Sequence, residues 1–233
     1  MTTTRIEDTG PRLYIAARAP RPGQVKTRLA AGIGDDAAAA LYAAFLRDLG
    51  ARFESAPFRL GWYVTPTDAW SEIRPLVGAG PATRVRVQPE ADWTDRQRHL
   101  LRRASEEGER PVVLIASDSP QLGLDQVTEA FAHLHDHDLV LGPTHDGGYS
   151  LIGMRGWHDV LSGIVMSGRD VADRIRQRAR TLRLRLATLA PIFDIDERED
   201  LALLDRYMTP GHDLHATRSA MERLGLVRAV QHV

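Results

Sequence analysis

Four cations fall within eleven residues, Arg18, Arg21, Lys26 and Arg28, in a stretch that also holds Pro20, Pro22 and Gly23. The prolines and the glycine forbid regular structure, so the cationic groups ride on a loop. Placed at the end of a strand, such a loop suits a polyphosphate; the bland alternative is a solvated basic loop. It is not a Walker A loop, because Gly23-x-x-Lys26-Thr27 lacks the earlier glycine, and the stretch contains no Gly-x-Gly-x-x-Gly. Of the 30 cationic residues 29 are Arg, and Lys26 is the single Lys. A compact ammonium where every other cation is a flat fork implies a steric or chemical use for it.

The matching acids lie far away in the chain. Asp118 lies just past the apolar part of Val112-Val-Leu-Ile-Ala-Ser-Asp-Ser-Pro120 and is a candidate metal or phosphate-site residue, with a turn cap as the alternative. Asp194 and Asp196 alternate in Phe193-Asp-Ile-Asp-Glu197, where they either cap a helix or complete a divalent site with Asp118. Between them, Thr144-His-Asp-Gly-Gly-Tyr149 sets Asp146 and Tyr149 around two glycines that let the backbone approach a ligand; an Asp-Gly hairpin turn explains the same residues. In Gln88-Pro-Glu-Ala-Asp-Trp-Thr-Asp-Arg96, Gln88 could read a nucleobase edge and Asp92 or Arg96 could reach a ribose or phosphate, while Thr94 could equally cap a charged helix. His133-x-His135-x-His137 is set aside as a metal site, since residues two apart on a helix point away from each other.

These residues need a scaffold that brings strand ends together. Leu13 to Ala17 and Val112 to Ala116 are short apolar runs, the second without a polar break, as strands buried on both faces require. Phe58 to Val64, Thr83 to Gln88 and Asp138 to Pro143 read as further strands, with a return strand after Gly148 and an alternating edge strand over Leu182 to Leu189. Between them, Asp35 and Asp36 cap a helix with Leu41, Phe45 and Leu49 on one stripe. Other helices are expected after Asp68, from Thr94 to Gly108, and over Leu124 to Leu134, Trp157 to Ile164 and Asp170 to Ala179. A last well-formed one opens at Glu199 and Asp200, with a modest terminal helix beyond 210. Alternating strands and helices give an α/β fold with a mixed, mostly parallel sheet and helices on both faces. In such sheets ligands sit beyond the carboxyl ends of the strands.

Composition narrows the function. At 233 residues the chain reads as a single domain from 13 to 233 behind a flexible arm, 1 to 12. Thirty basic against 31 acidic residues give a net charge of -1, so no global basic field points to nucleic acid or an anionic membrane. No cysteine is present, which removes thiolate chemistry. No apolar run approaches 18 residues, and the expectation is a cytoplasmic protein acting on small molecules, with a homodimer allowed.

The Pro-rich cationic loop, Ser117-Asp-Ser-Pro120, Gly142-Pro-Thr-His-Asp-Gly-Gly-Tyr149 and Asp194-Ile-Asp-Glu-Arg-Glu-Asp-Leu201, in that order, closely resemble the DUF2064 family of the GT-A, or nucleotide-diphospho-sugar transferase, superfamily. The chain also looks like a relative of the phospholactate guanylyltransferases and molybdenum-cofactor nucleotidyltransferases over residues 13 to about 205. The resemblance implies a single Rossmann-like GT-A domain, with a nucleotide over the N-terminal half of the sheet and an acceptor over the other half. It makes the 18-to-29 loop the phosphate cradle, with Lys26 and Arg28 on the phosphates and Ala16, Arg18, Gly23, Gln88 and Asp92 also on the nucleotide. Asp118 and Asp196 would hold Mg2+ (or Mn2+), and Asp146, Gly147, Gly148 and Tyr149 would line the acceptor side. Arg18 stands where the family usually has Lys, Ala91-Asp-Trp-Thr94 where it carries Gly-Asp-Leu-Gly, and Val165-Met-Ser-Gly168 where it carries Trp-Ser-Thr. Nucleotidyl transfer from a nucleoside triphosphate to a phosphate or carboxylate acceptor is the leading expectation, with Lys26, Arg28 and Asp118 as its catalytic groups. Glycosyl transfer from a nucleotide sugar is the alternative, disfavoured because Ser117-Asp-Ser119 offers one acid where most metal-dependent sugar transferases place Asp-x-Asp. A nucleotide-binding regulator without turnover is the third reading.

Overall fold

A computed structural model describes residues 10–80, 83–166, 168–209 and 211–227. Its centre is one seven-stranded sheet of order β3-β2-β1-β4-β6-β5-β7, in which β6 alone runs antiparallel to its neighbours. In chain order the first elements are β1 (Arg12–Arg18), α1 (Thr27–Ile33), α2 (Asp35–Glu54), β2 (Arg59–Thr65), α3 (Trp70–Val77), β3 (Arg84–Val87), α4 (Trp93–Glu106) and β4 (Val112–Ala116). They are followed by α5 (Leu124–His133), β5 (Leu139–Pro143), β6 (Tyr149–Met154), α6 (Val171–Thr181), β7 (Leu186–Thr188), a 3-10 turn (Arg198–Asp200), α7 (Leu201–Tyr207) and α8 (His215–Arg223).

The apolar runs are buried on both faces. Leu13, Ile15 and Ala17 of β1, with Val113 and Ile115 of β4, pack into a core shared with α1, α2, α3, α5, α7 and α8. The alternate residues Tyr14, Ala16, Val112 and Leu114 join the second core, under α4 and α6. Close packing at this level makes single truncations expensive: Leu or Phe to Ala at such a site costs about 2–5 kcal/mol. Gly61, paired with Tyr14 across β1 and β2, has a local reason to be glycine, since a Cβ there would lie 2.5 Å from the Tyr14 ring.

The topology fixes where ligands go. From β1 the chain winds outward through β2 to β3, then returns to lay β4 on the other side of β1. The parallel β1 and β4 therefore diverge in their connections at their carboxyl ends, which is the crevice of doubly wound sheets. Ala16 pairs with Ala116 there, so the loop after β1 and the turn carrying Asp118 start side by side.

Several expectations need correction. The 18-to-29 stretch is not loop throughout, because α1 begins at Thr27. Asp35 and Asp36 lie inside the first turn of α2 behind the N-cap Gly34, where their charge favours the helix dipole instead of capping. Asp92, not Thr94, caps α4, accepting the Asp95 N–H at 2.9 Å, while Thr94 donates to the Ile164 carbonyl. No helix forms over Trp157 to Ile164: Val160, Leu161 and Ile164 are buried at helix-like spacing, but Ser105 holds the Trp157 N–H, Asp159 is drawn to Arg98, and Gly163 sits at φ 74°. The alternating 182-to-189 stretch contributes only three strand residues, since Arg183 turns at φ 55° and the Leu184 N–H still bonds back to Ala179 at the end of α6. Arg12 belongs to β1, and residues 1–9 of the expected arm lie outside the described residues, as does Ser167 of the 165-to-168 segment. Of the stretch beyond 210, α8 is the described helix.

Candidate active site

At the crevice lies an open cavity of about 540 Å³ that reaches from the end of β3 across β2, β1 and β4 to the turn between β5 and β6. Lys26 is its pivot. Its backbone is left-handed (φ 48°, ψ 44°), a conformation L residues adopt rarely and at some strain, and it serves as the N-cap of α1 without a capping side chain. That geometry sends the ammonium inward, where it is nearly buried, 3.4 Å from Asp118 Oδ2 and 3.2 Å from Asp196 Oδ1. The one lysine of the chain thus gathers two carboxylates separated by 78 residues in sequence onto a single cation.

The surrounding groups are held in place by the first turn of each loop. Tyr42 of α2, buried, shares a 2.6 Å hydrogen bond with Ser117 Oγ and accepts the Arg18 N–H at 3.0 Å. One hydroxyl therefore ties the cationic loop to the Asp118 turn, with burial holding its pKa up at about 12, so it stays neutral. From the other side the Arg52 guanidinium, its side chain 3 % exposed, donates to the Pro120 and Leu122 carbonyls and fixes the segment after Asp118.

On the far wall Asp146 accepts from Thr144 Oγ1 at 2.6 Å and from the Gly148 N–H at 2.9 Å. Burial would raise its pKa, but these hydrogen bonds outweigh it and hold the carboxyl below the usual range. Asp194 behaves oppositely. Burial first, then the Asp146 charge, push its pKa up to about 7, with a smaller contribution from Asp118. The Asp146 carboxylate thus stays charged, while the neighbouring Asp194 is pushed toward its protonated form by burial and by that charge. Gly147 has to be glycine: φ is +94° and a Cβ would meet the Arg169 carbonyl oxygen at 1.8 Å. Tyr149 donates its hydroxyl to Gln97 of α4 at 2.8 Å.

Of the residues singled out in the sequence, Ala16, Arg18, Lys26, Gln88, Asp118, Asp146, Gly148, Tyr149 and Asp196 are brought together around the cavity. Gly23, Arg28, Asp92 and Gly147 do not line it. Gly23 turns the loop at φ 72°, Arg28 is largely exposed and pairs with Asp196 and Glu197 at the rim, and Asp92 is the helix cap described above. Gln88 faces the cavity but its amide is spent on the fold, donating to the Tyr63 carbonyl at 2.7 Å and accepting from Arg96. Sequence reasoning missed Tyr42, Thr144 and the role of Asp194. The first stood one residue off the apolar stripe of α2, and the other two acquire meaning only when β5 and the stretch after β7 meet.

Among the described residues no group of three or more His, Cys, Asp or Glu side chains forms a ready-made metal cage. The two carboxylates that share the Lys26 ammonium are nonetheless a hard-oxygen donor pair. Mg2+ is commonly bound by one or two carboxylates with phosphate and water oxygens completing its shell, and this pair fits that mode. No described helix is long and apolar enough to cross a membrane.

A doubly wound sheet with a cationic loop and acids at its switch point has the form of a transferase that handles phosphates. Comparison with known proteins agrees. Over 186 residues, 75% of this chain and 81% of the other, the sequence is 32% identical to a 3-phospho-D-glycerate guanylyltransferase of Phenylobacterium zucineum (strain HLK1). A crystal structure from Desulfovibrio desulfuricans G20, described as that of a candidate nucleotide-diphospho-sugar transferase, superposes with a TM-score of 0.83 at 29% identity, covering 92% of this chain and 96% of that one. A cytidylyltransferase of Leptospira borgpetersenii shares the fold alone, with a TM-score of 0.56 at 12% identity over 93% of this chain and 94% of that one. Residues 54–168 match DUF2064, whose description reads "Uncharacterized protein conserved in bacteria". The chain belongs to the DUF2064 family and has the nucleotide-diphospho-sugar transferase fold.

Proposed function

We propose that the protein transfers a nucleotidyl group, in the first instance guanylyl, from a nucleoside triphosphate to a small acceptor carrying a phosphate. The observation that carries this reading is the Lys26 ammonium held between Asp118 and Asp196 at the switch point, where a triphosphate would lie across β1. The guanylyltransferase relative supports both the donor and an acceptor of the phosphoglycerate kind.

In the reaction an oxygen of the acceptor phosphate attacks the α-phosphorus. The bond from that phosphorus to the bridging oxygen of the β-phosphate breaks, and pyrophosphate leaves. An acceptor phosphate is already ionised near neutral pH, so no base has to remove a proton. What remains for the protein is positioning and charge neutralisation. Lys26 and Arg18 supply positive charge to the phosphates, and Arg28, at the rim, steers the anion in. Tyr42 and Arg52 hold the loop and the Asp118 turn at fixed separation. Asp118 and Asp196 would hold Mg2+, which when bound neutralises charge on the phosphate oxygens. Asp146, Gly148 and Tyr149 shape the acceptor side.

Sugar transfer is the second reading, favoured by the description of the Desulfovibrio structure. One assay separates the two. With GTP, Mg2+ and 3-phosphoglycerate, phosphorus NMR should show pyrophosphate and a new diphosphate diester in equal amounts. Consumption of a nucleotide sugar with release of nucleoside diphosphate, and none of GTP, would replace guanylyl transfer with glycosyl transfer.

A further inference from the structure

The two wings of the cavity differ in chemistry. Over β4, β5 and the stretch after β7 the wall is acidic. Over β2 and β3 it has no carboxylate and presents Trp93 and Arg96. These two sit three residues apart on α4 and so share one side of the helix.

Arg96 is braced in place. Its Nε donates to the Ala91 carbonyl at 2.7 Å and Nη1 to Gln88 Oε1 at 3.3 Å. Gln88 is itself fixed by its bond to the Tyr63 carbonyl, and the Tyr63 hydroxyl returns to the Arg96 carbonyl at 2.7 Å. The three residues close a ring across β2, the end of β3 and α4. No carboxylate pairs with Arg96 among the described residues, and its Nη2 takes no partner there. A half-buried guanidinium held by neutral acceptors, with a free donor edge beside an indole, is prepared for a flat neutral ligand with adjacent acceptors.

We propose that Trp93 and Arg96 form the base-reading subsite, in which Arg96 donates to O6 and N7 of guanine while Trp93 supplies an apolar aromatic surface. The assignment of the base to this wing rests on the nucleotide reading above. Guanine presents two acceptors side by side on that edge, whereas adenine pairs its N7 acceptor with an N6 donor that would oppose the guanidinium. On the corresponding edge cytosine presents an N4 donor and uracil a single O4 acceptor. Gln88 is then a positioning residue that aims Arg96, and the base reader is the neighbour it braces.

The test measures affinities of wild type, Arg96→Ala and Arg96→Lys for GTP, 7-deaza-GTP, ITP, ATP, GDP and inorganic triphosphate. Wild type should bind GTP and ITP, which share O6 and N7, within a few-fold of each other, and 7-deaza-GTP and ATP on the order of ten- to a hundredfold more weakly. Arg96→Ala should bring GTP and GDP down to the level of ATP while leaving inorganic triphosphate unchanged. The 7-deaza comparison on wild type stands even if a variant folds poorly. An equal loss for GTP, ATP and inorganic triphosphate would make Arg96 a phosphate ligand. Unchanged GTP affinity with a raised KM for the acceptor would make it an acceptor-carboxylate ligand. Either would overturn the proposal. A guanine preference that appears with GDP and GDP-sugars, without turnover of GTP, would support the base reader while sinking nucleotidyl transfer, so the two claims fail separately.

Discussion

The two ends of β1 both concentrate charge, and they do so differently. Below its amino end, Arg12 and Glu109 are buried together, 3.2 Å apart. The Tyr14 hydroxyl donates to Glu109 and accepts from Arg86, while Arg84 and Arg86 clamp Glu107 and reach Glu109. Each of these guanidiniums meets a carboxylate of the chain itself. Beyond its carboxyl end, Asp118, Asp146, Asp194 and Asp196 face the cavity with one ammonium between two of them, and Asp194 keeps its proton up to about 7. A closed network of this kind fixes structure, whereas carboxylates that open onto a cavity at a switch point keep oxygens within reach of a ligand. Charge density by itself does not mark a site; incomplete pairing at a place ligands can reach does.

That contrast can be broken experimentally. The largest effect expected is on rate: Asp118→Asn should lower turnover by about a thousandfold or more, equivalent to about 4 kcal/mol, while leaving the melting temperature unchanged or raised. A fall in stability with activity retained would move Asp118 into the structural class. At the other end, Glu109→Ala leaves buried guanidinium charge uncompensated and should cost about 3 kcal/mol in urea unfolding. Its kcat should hold at temperatures where the variant is folded. Lys26→Ala should weaken triphosphate binding by about tenfold, roughly 1.4 kcal/mol, and monophosphate binding less, as calorimetry would show. An equal effect on both would remove Lys26 from the phosphate site. Lys26→Gly, which suits the left-handed backbone, should repeat that loss without a stability defect.

The smallest effect concerns acid. Hydrogen bonding from Arg86 lowers the Glu107 pKa to about 2, against partial burial and with help from Arg84. A carboxyl whose folded pKa lies below its unfolded one adds stability above the unfolded value near 4.5, and this is lost as pH falls towards 2. Wild type should therefore lose more stability than Glu107→Gln between pH 5 and pH 2, by less than about 1 kcal/mol because the pair is partly solvated. Parallel acid curves would show that the amino-end network is not held by this pair.

Much of this was legible in the chain. Unbroken apolar runs identify β1 and β4 because a strand buried on both faces needs them, and the acid and cations at their ends follow from chain direction. The seven residues of α1 were hidden because no apolar period precedes a helix entered from a left-handed lysine. Trp157 to Ile164 mimicked a helix because burial alone sets its spacing. The pairing of Asp146 with Asp194 spans 48 residues and three elements, so no local pattern could announce it. Gln88 lines the cavity, yet its bonds to Tyr63 and Arg96, visible only once β2 and α4 converge, make it a brace.

The most direct measurement is the melting temperature of wild type and Asp118→Asn with GTP, with and without Mg2+. At a hundredfold excess over Kd the wild type should gain about 2.7 kcal/mol when both are present, and much less with either alone. Asp118→Asn should lose that synergy. Equal stabilisation of both proteins, or no response to GTP in the presence of Mg2+, would contradict the assignment of the acidic end of β1 as a metal and nucleotide site.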